Sequence, residues 1–281
     1  MLVLTAPDDK GDIMPGIGII GVGEIGRAIV EGLCEGPHEG PHEGLDAHGG
    51  GAPAIQLSPR GAATVARLAG RYATVRVCDS NQAVADASDV VIIAVRRPDL
   101  HQALDGLHVA DDKTVINVMA GVSLGELRQI LGTKAALVRA IPLPAVRERR
   151  SVTVTHPSHP VADALFDRLG GALPVADEAA FDVLSALTGT LTTHYAYLAT
   201  LASWAAGHGI APDVADGYVR GLFQGVGRSL GDGTRSLQQL AADHETPNGS
   251  NERIRTTWFD AANASALTDA LDGLLAGLRA R

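Results

Sequence analysis

Short apolar, β-branched runs alternate with helical patterns from Ile17 to about Val175. The runs are apolar on both faces, which is typical of strands in a parallel sheet covered by helices on both sides. After about Asp177, long amphipathic stretches follow and few β-branched runs remain, which predicts an all-helical region. We therefore predict an α/β domain over 1–176 and an all-α domain over 177–281. The predicted strands are 17–21, 54–58, 74–78, 90–95, 114–118, 136–141 and 151–155.

Residues 36–52 interrupt the alternation with the sequence GPHEGPHEGLDAHGGGA. Its glycines and prolines disfavour regular structure, so we predict a flexible surface insertion. A glycine-rich loop fixes no ligand geometry, and we predict no metal site there. The side chains of metal-ligating type in this segment are His38, Glu39, His42, Glu43 and His48.

The charge and hydropathy of the chain exclude several classes of partner. The formal net charge is -9 and no long basic run is present, so nucleic acid is not an expected partner, whereas a small anion remains possible. No stretch of about 18 apolar residues is present, which argues against a membrane span. Asp8, Asp9 and Asp12 precede the first long apolar run, unlike a signal peptide, and we expect a cytoplasmic location.

A glycine motif lies between the first predicted strand and the first predicted helix. Gly21 permits a tight turn, Gly23 lets a pyrophosphate approach the backbone, and Gly26 lets helix and strand pack closely. The helix N-terminus then offers free N–H groups to the phosphates. The strand–turn–helix context predicts a Rossmann-type, doubly wound dinucleotide-binding domain. The motif consists of Gly21, Val22, Gly23, Glu24, Ile25 and Gly26.

The end of the second predicted strand indicates which dinucleotide binds. Enzymes that use NAD usually carry an acidic residue there, about 20 residues after the glycines, to bind the ribose hydroxyls. This chain instead has Ser58 and Arg60, which can donate to a 2′-phosphate. We therefore predict NADP(H), although Arg60 could also be a solvated loop residue. The insertion accounts for the longer spacing from Gly26.

These motifs occur in the same order as those of a known family, and the chain resembles the pyrroline-5-carboxylate reductases. The resemblance covers nearly the whole chain. It rests on IGIIGVGEIGRAIVEGL, LSPR, Asp79 with Asn81, DVVIIAVRRP, and the segments 119–123, 139–142 and 246–251.

The resemblance implies a role for each matching position. On the cofactor side, it implies that the adenosine end of NADPH is held by Ser58, Arg60 and Asn81, that the cofactor trough is lined by Ala94, Val95 and Arg96, and that Ala120 and Gly121 lie near the nicotinamide. It further implies that the substrate carboxylate binds to Thr246, Asn248, Gly249, Ser250 and Asn251. The helical domains of the family interleave, so a homodimer is implied.

The implied reaction is hydride transfer from NADPH to the C=N carbon of a small anionic cyclic imine, 1-pyrroline-5-carboxylate, which gives proline. We expect Ser250 or Asn251 to hydrogen-bond the ring nitrogen and His194 to transfer a proton. Two structural alternatives stay open at this point. Ser250 can be a helix N-cap, and His194 can be a hydrogen-bonded core or capping residue.

Departures from the family pattern lie on the substrate side. They are Leu143, the segment 188–194, Asn248 and Asn251. They leave open a different small cyclic imine, or a protein that binds NADP without turnover. A β-hydroxyacid dehydrogenase is strongly disfavoured because those enzymes use a lysine from the helical domain, and all three lysines here precede it. The breadth of apolar residues on the helices, for example Tyr195 and Trp204, also predicts a dimer.

Overall fold

The computed structural model describes residues 15–35 and 51–280. Within this part the chain divides into two compact units, of which the first ends at Phe181 and the second is Asp182–Ala280. This division is close to the boundary predicted after residue 176. Most of the predicted insertion, residues 36–50, lies outside the described residues, and so do its five candidate metal ligands.

The first unit contains one eight-stranded sheet with the order β3-β2-β1-β4-β5-β6-β7-β8. The strand order reverses between β1 and β4, and this is the switch point at which open α/β sheets bind ligands. The strands are β1 (Ile17–Ile20), β2 (Ile55–Leu57), β3 (Val75–Val77), β4 (Val90–Ile93), β5 (Thr114–Asn117), β6 (Ala136–Ile141), β7 (Thr153–His156) and β8 (Ala172–Pro174).

The prediction of a parallel sheet is correct for β1 to β6 but needs correction beyond them. Strand β7 pairs antiparallel with β6, and β8 pairs parallel with β7. The connection from β6 to β7 contains a 3-10 turn, Pro144–Glu148, and no α-helix, and a parallel return needs a crossover of a dozen or more residues. Strand β8 was not predicted, because it follows Gly170 and Gly171, which mark a loop in the sequence.

Both faces of the sheet are covered, as predicted. In β4, Val90 and Ile92 belong to one buried apolar cluster, whereas Val91 and Ile93 belong to a second. Alternate residues of a strand point to opposite faces, so the two clusters lie on opposite sides of the sheet. The helices of this unit are α1 (Glu24–Cys34), α2 (Ala62–Arg71), α3 (Asn81–Asp86), α4 (Leu100–Leu104), α5 (Leu124–Leu131) and α6 (Pro160–Asp167).

All regular structure described in the second unit is helical. Helix α7 (Glu178–Leu187) crosses the division between the units. Along the described chain, no helix is both long and apolar enough to cross a bilayer. The predicted cytoplasmic location stays a prediction. The remaining helices are α8 (Thr190–Gly207), α9 (Pro212–Ser229), α10 (Leu237–Ala242), α11 (Ser250–Thr257) and α12 (Ala261–Arg279).

Candidate cofactor and substrate sites

The glycine turn after β1 requires glycine at two positions. Gly21 has a φ of +96°, and a Cβ there would lie 2.7 Å from the carbonyl carbon and oxygen of Ala94. A Cβ on Gly26 would clash with the carbonyl oxygen of Gly21. Gly23 differs, because nothing lies within 4 Å of the position that its Cβ would take. The turn is therefore tight on the protein side and open at Gly23.

The open side of this turn fits a dinucleotide pyrophosphate. Gly23 is the N-cap of α1, and no side chain caps the helix. The first-turn N–H groups and the helix dipole are therefore available to an anion, and the space beside Gly23 allows close approach. Val22, Glu24 and Ile25 would take part through the backbone, because the Glu24 carboxylate itself would repel a phosphate.

Ser58 lies immediately after β2, and its side chain faces the glycine turn. It is 1% exposed, and its hydroxyl oxygen accepts a hydrogen bond of 3.0 Å from the Gly21 N–H. Its own N–H donates to the Ile19 carbonyl at 3.0 Å. Ser58 thus holds the end of β2 against the end of β1. Its predicted contact with the adenosine end of the cofactor stays a prediction.

Arg60 and Arg96 share one carboxylate, that of Asp99. An Arg60 Nη lies 3.1 Å from one Asp99 oxygen, and an Arg96 Nη lies 2.9 Å from the other. The arginine side chains are 60% and 81% exposed, whereas the Asp99 side chain is 18% exposed. The hydrogen bonds from Arg96 and Arg60 lower the pKa of Asp99, against the opposing effect of burial. The sequence interpretation included both arginines and missed Asp99.

The other predicted cofactor residues lie at the carboxyl ends of neighbouring strands. Ala94 follows β4 and donates its N–H to the Ile20 carbonyl at 2.8 Å, and Val95 packs partly buried against the core. Asn81 begins α3, and its amide donates to the Ala103 carbonyl at 2.8 Å. The structure therefore places these residues on the same edge of the sheet as the glycine turn.

The turn between β5 and α5 contains Ala120 and Gly121, and side chains outside it hold its backbone. The Arg97 guanidinium donates to the Gly121 carbonyl and forms an ion pair with Glu126 at 3.2 Å. The Asn117 amide donates to the Val122 carbonyl at 2.9 Å. Gly121 has a φ of +71°, which favours glycine. The sequence interpretation missed Arg97, which connects this turn to the loop after β4.

In the second unit, the predicted substrate loop forms a turn that begins α11. The Gly249 N–H donates to the Thr246 carbonyl at 2.7 Å, and a Cβ on Gly249 would clash with the Thr246 hydroxyl. The Asn251 amide donates to the His244 carbonyl at 2.7 Å. The alternative role for Ser250 was wrong, because the N-cap is Gly249 and Ser250 is the first residue of the helix.

A carboxylate of the protein already lies at the start of α11. Glu252 accepts a hydrogen bond of 2.5 Å from the Asn248 N–H. Asn248 has a φ of +60°, so the left-handed residue of this turn is Asn248 and not Gly249. The loop therefore combines available N–H groups with a fixed negative charge.

His194 lies on α8 among aromatic rings. It is exposed and lies inside the helix, so in the single subunit it is neither a core residue nor a helix cap. Its ring centroid lies 6.2 Å from those of Tyr195 and Phe223. Tyr197, one turn further along α8, stacks on Trp258 at 5.2 Å, which brings the end of α11 against α8.

Among the described residues, no group of three or more His, Cys, Asp or Glu could hold a metal.

The glycine turn and the switch point are typical of a dinucleotide-binding fold. Residues 16–121 match the family model described as NADP oxidoreductase, coenzyme F420-dependent. The chain is 25% identical over 298 residues to the Delta-1-pyrroline-5-carboxylate reductase of Gibberella fujikuroi. This match covers 95% of this chain and 97% of that protein. The predicted resemblance to the pyrroline-5-carboxylate reductases is confirmed.

Solved structures share the fold of the chain. The pyrroline carboxylate reductase of Plasmodium falciparum, with NADP bound, is 15% identical with a TM-score of 0.73 and covers 96% of this chain and 98% of its own. An imine reductase from Pseudomonas sp. is 16% identical with a TM-score of 0.58 and covers 92% and 87%. The predicted fold class is confirmed, and the comparisons agree with the predicted NADP-dependent oxidoreductase class.

Proposed function

We propose that the protein is an NADPH-dependent reductase that transfers hydride to the C=N bond of a small cyclic imine. The observation that carries this proposal is the edge of the sheet at the switch point. There, an uncapped helix N-terminus at Gly23 and the exposed Arg60 and Arg96 offer separate sites for a pyrophosphate and a 2′-phosphate. The names of the relatives make 1-pyrroline-5-carboxylate, reduced to proline, the first substrate to test.

The residues of the first unit would bind and orient the cofactor, which supplies the hydride when bound. The 21–26 turn receives the pyrophosphate, and Arg60 and Arg96 receive the 2′-phosphate. The turn with Ala120 and Gly121 would lie against the nicotinamide, where Arg97 and Asn117 keep its backbone in one conformation. Because a protonated imine is already electrophilic, orientation and electrostatics supply most of the catalysis.

The residues of the second unit would bind the imine. The Ser250 N–H and hydroxyl lie in the first turn of α11, where a helix favours a bound anion. The Asn251 amide group already donates to His244, which leaves its oxygen as an acceptor for the ring N–H. The exposed His194 has the residue type to supply a proton. These roles are part of the proposal.

Glu252 favours a second candidate substrate, a cyclic imine without a carboxylate. Its carboxylate lies in the same turn as the N–H groups proposed for the substrate anion, and two like charges there repel each other. A neutral or cationic ring would avoid this repulsion. The candidate differs from the first only in the group beside the C=N bond.

We also propose that the functional form is a homodimer through the helical unit. Large apolar side chains on these helices are exposed, with Tyr218 at 72% and Trp204 at 66%. A second copy of the same unit is the simplest surface that would cover them. The exposed aromatic and aliphatic residues of this unit include Leu191, Tyr195, Trp204, Tyr218, Leu222, Leu230, Leu237, Ile254, Trp258 and Leu267.

The proposal is tested by NADPH oxidation with 1-pyrroline-5-carboxylate, 1-pyrroline and their six-membered analogues, followed by identification of the product. Gly23→Val should fold, because nothing lies within 4 Å of the position that its Cβ would take, but should lose NADPH binding. Gly70→Ala, also in open space, is the matched control. Tight NADPH binding without oxidation on any imine would favour a protein that binds NADP without turnover.

A further inference from the structure

Asp99 occupies the two arginines to which the proposed function assigns the 2′-phosphate. Arg60 belongs to the loop after β2, whereas Arg96 and Asp99 belong to the loop after β4. Asp99 ends a short 3-10 turn, Arg97–Asp99, that also contains Pro98, and its N–H donates to the Arg96 carbonyl at 2.9 Å. The backbone of Asp99 is thus held in a turn, while the two arginine side chains are long and exposed.

We propose that Asp99 is a specificity-determining residue that weakens binding of the 2′-phosphate and so limits the preference for NADPH over NADH. The inference rests on the proposed NADP(H) function. Asp99 cancels one of the two positive charges at this position, and it competes with a phosphate for the same guanidinium donors. A nucleotide without the 2′-phosphate does not compete for these donors.

The carboxylate has two opposite effects on the site. It holds Arg60 and Arg96 near each other, which favours phosphate binding, and it adds a negative charge beside a dianion, which disfavours it. Exposed ion pairs contribute little to stability, so the ordering effect is small. A unit charge a few ångströms from a dianion changes affinity about three- to tenfold even with water-like screening. The repulsive effect therefore dominates.

The test measures binding of NADPH and NADH to Asp99→Asn without any imine, by titration calorimetry or nucleotide fluorescence. Asparagine keeps the size of the side chain and one carbonyl acceptor but removes the charge. We expect the Kd for NADPH to fall about three- to tenfold, and the Kd for NADH to change less than about twofold. Asp105→Asn, an exposed carboxylate at the end of α4, is the matched control for net charge and should change neither value.

A second variant separates the two effects of Asp99. If Asp99 occupies Arg60, then Arg60→Ala should weaken NADPH binding more in the Asp99→Asn background than in the wild type, because the released arginine contributes more. Equal losses in the two backgrounds would contradict the proposal.

The other possible results of the Asp99→Asn titrations would each overturn the proposed role of Asp99. Weaker NADPH binding by Asp99→Asn would overturn the inference, since Asp99 would then be needed to order the arginines. A selective loss of NADH affinity would overturn it too, because the carboxylate would then contact the ribose hydroxyls. Unchanged affinities for a variant with a wild-type circular dichroism spectrum would show that Asp99 has no such role. A wild-type protein that binds neither nucleotide would overturn the proposed function and this inference together.

Discussion

The two units of the molecule differ in how far they bury their apolar residues. In the first unit, strands and helices bury two clusters, one on each face of the sheet. In the second unit, the buried hydrophobic side chains among the described residues are Ala186, Ala215, Val219 and Leu240, while every Tyr, Trp and Phe there is exposed or half-buried. The first unit has the core of an independent domain, whereas the second exposes apolar side chains of the kind that the proposed homodimer would cover.

The largest expected effect addresses this difference directly. Tyr218→Asp changes a side chain that is 72% exposed, so its effect on a single subunit should be small. In a dimer the same carboxylate would be buried, and self-association should weaken at least about a hundredfold, measured by sedimentation. Val152→Asp, at an exposed apolar residue of the first unit, is the matched control and should leave association unchanged. A wild-type protein that is monomeric and fully active at micromolar concentration would contradict the proposed homodimer.

A second prediction concerns the cofactor side, where the sequence follows the family pattern. Arg60→Ala removes a charge-assisted contact, typically worth about 1.5–3 kcal/mol, so NADPH affinity should fall roughly ten- to a hundredfold. NADH affinity should barely change. Arg67→Ala, at an exposed arginine of the following helix α2, serves as the control. Equal losses for both nucleotides would show that Arg60 does not recognise the 2′-phosphate.

A third prediction tests the loop of the second unit. Gly249→Val forces a clash with Thr246 and should rearrange the turn before α11. We expect kcat/KM for the imine to fall about tenfold or more, a loss near 1.4 kcal/mol in transition-state binding, while the Kd for NADPH stays within about twofold. Gly217→Ala, in open space on α9, should behave as wild type. Wild-type kinetics from Gly249→Val would mean that the imine binds elsewhere.

The smallest expected effect concerns the charge beside that loop. Glu252→Gln keeps an acceptor for the Asn248 N–H and removes the negative charge. The KM for a carboxylate-bearing imine should fall about threefold, while that for 1-pyrroline should not change. The ratio of the two KM values is the measurement, since it cancels any general effect on the enzyme. A ratio equal to that of the wild type would place the substrate carboxylate away from Glu252.

The parts of the fold that could be predicted depend on local pattern. Strands such as β4 are recognised because they are apolar on both faces. The turn after β1 is recognised because its tight backbone requires glycine, which the sequence shows directly. The direction of β7 depends instead on the connection before it, which has no sequence periodicity. Strand β8 has three residues after two glycines, too short for a period to be recognised.

The site residues also divide into those that a local motif predicts and those that depend on contacts between distant segments. Gly21, Gly23 and Gly26 could be predicted because a short motif and its context define them. Asp99 and Arg97 were missed because each joins its own loop to one that is distant in sequence; Asp99 and Arg60 are 39 residues apart, and Arg97 and Gly121 are 24 residues apart. Ser58 was identified as a cofactor residue, but its 1% exposure follows from the packing of β2 against β1, which no short motif encodes.

The burial of Ser58 bears on attempts to redesign the nucleotide preference of this protein. The usual route toward NAD is to install an acidic residue at the end of the second strand. Here that carboxylate would lie in a nearly closed space, and the hydroxyl that accepts the hydrogen bond from the Gly21 N–H would be lost. The buried charge would therefore destabilise the fold, whether or not a nucleotide is bound. A library aimed at NADH should therefore keep Ser58 and vary Arg60 and Arg96.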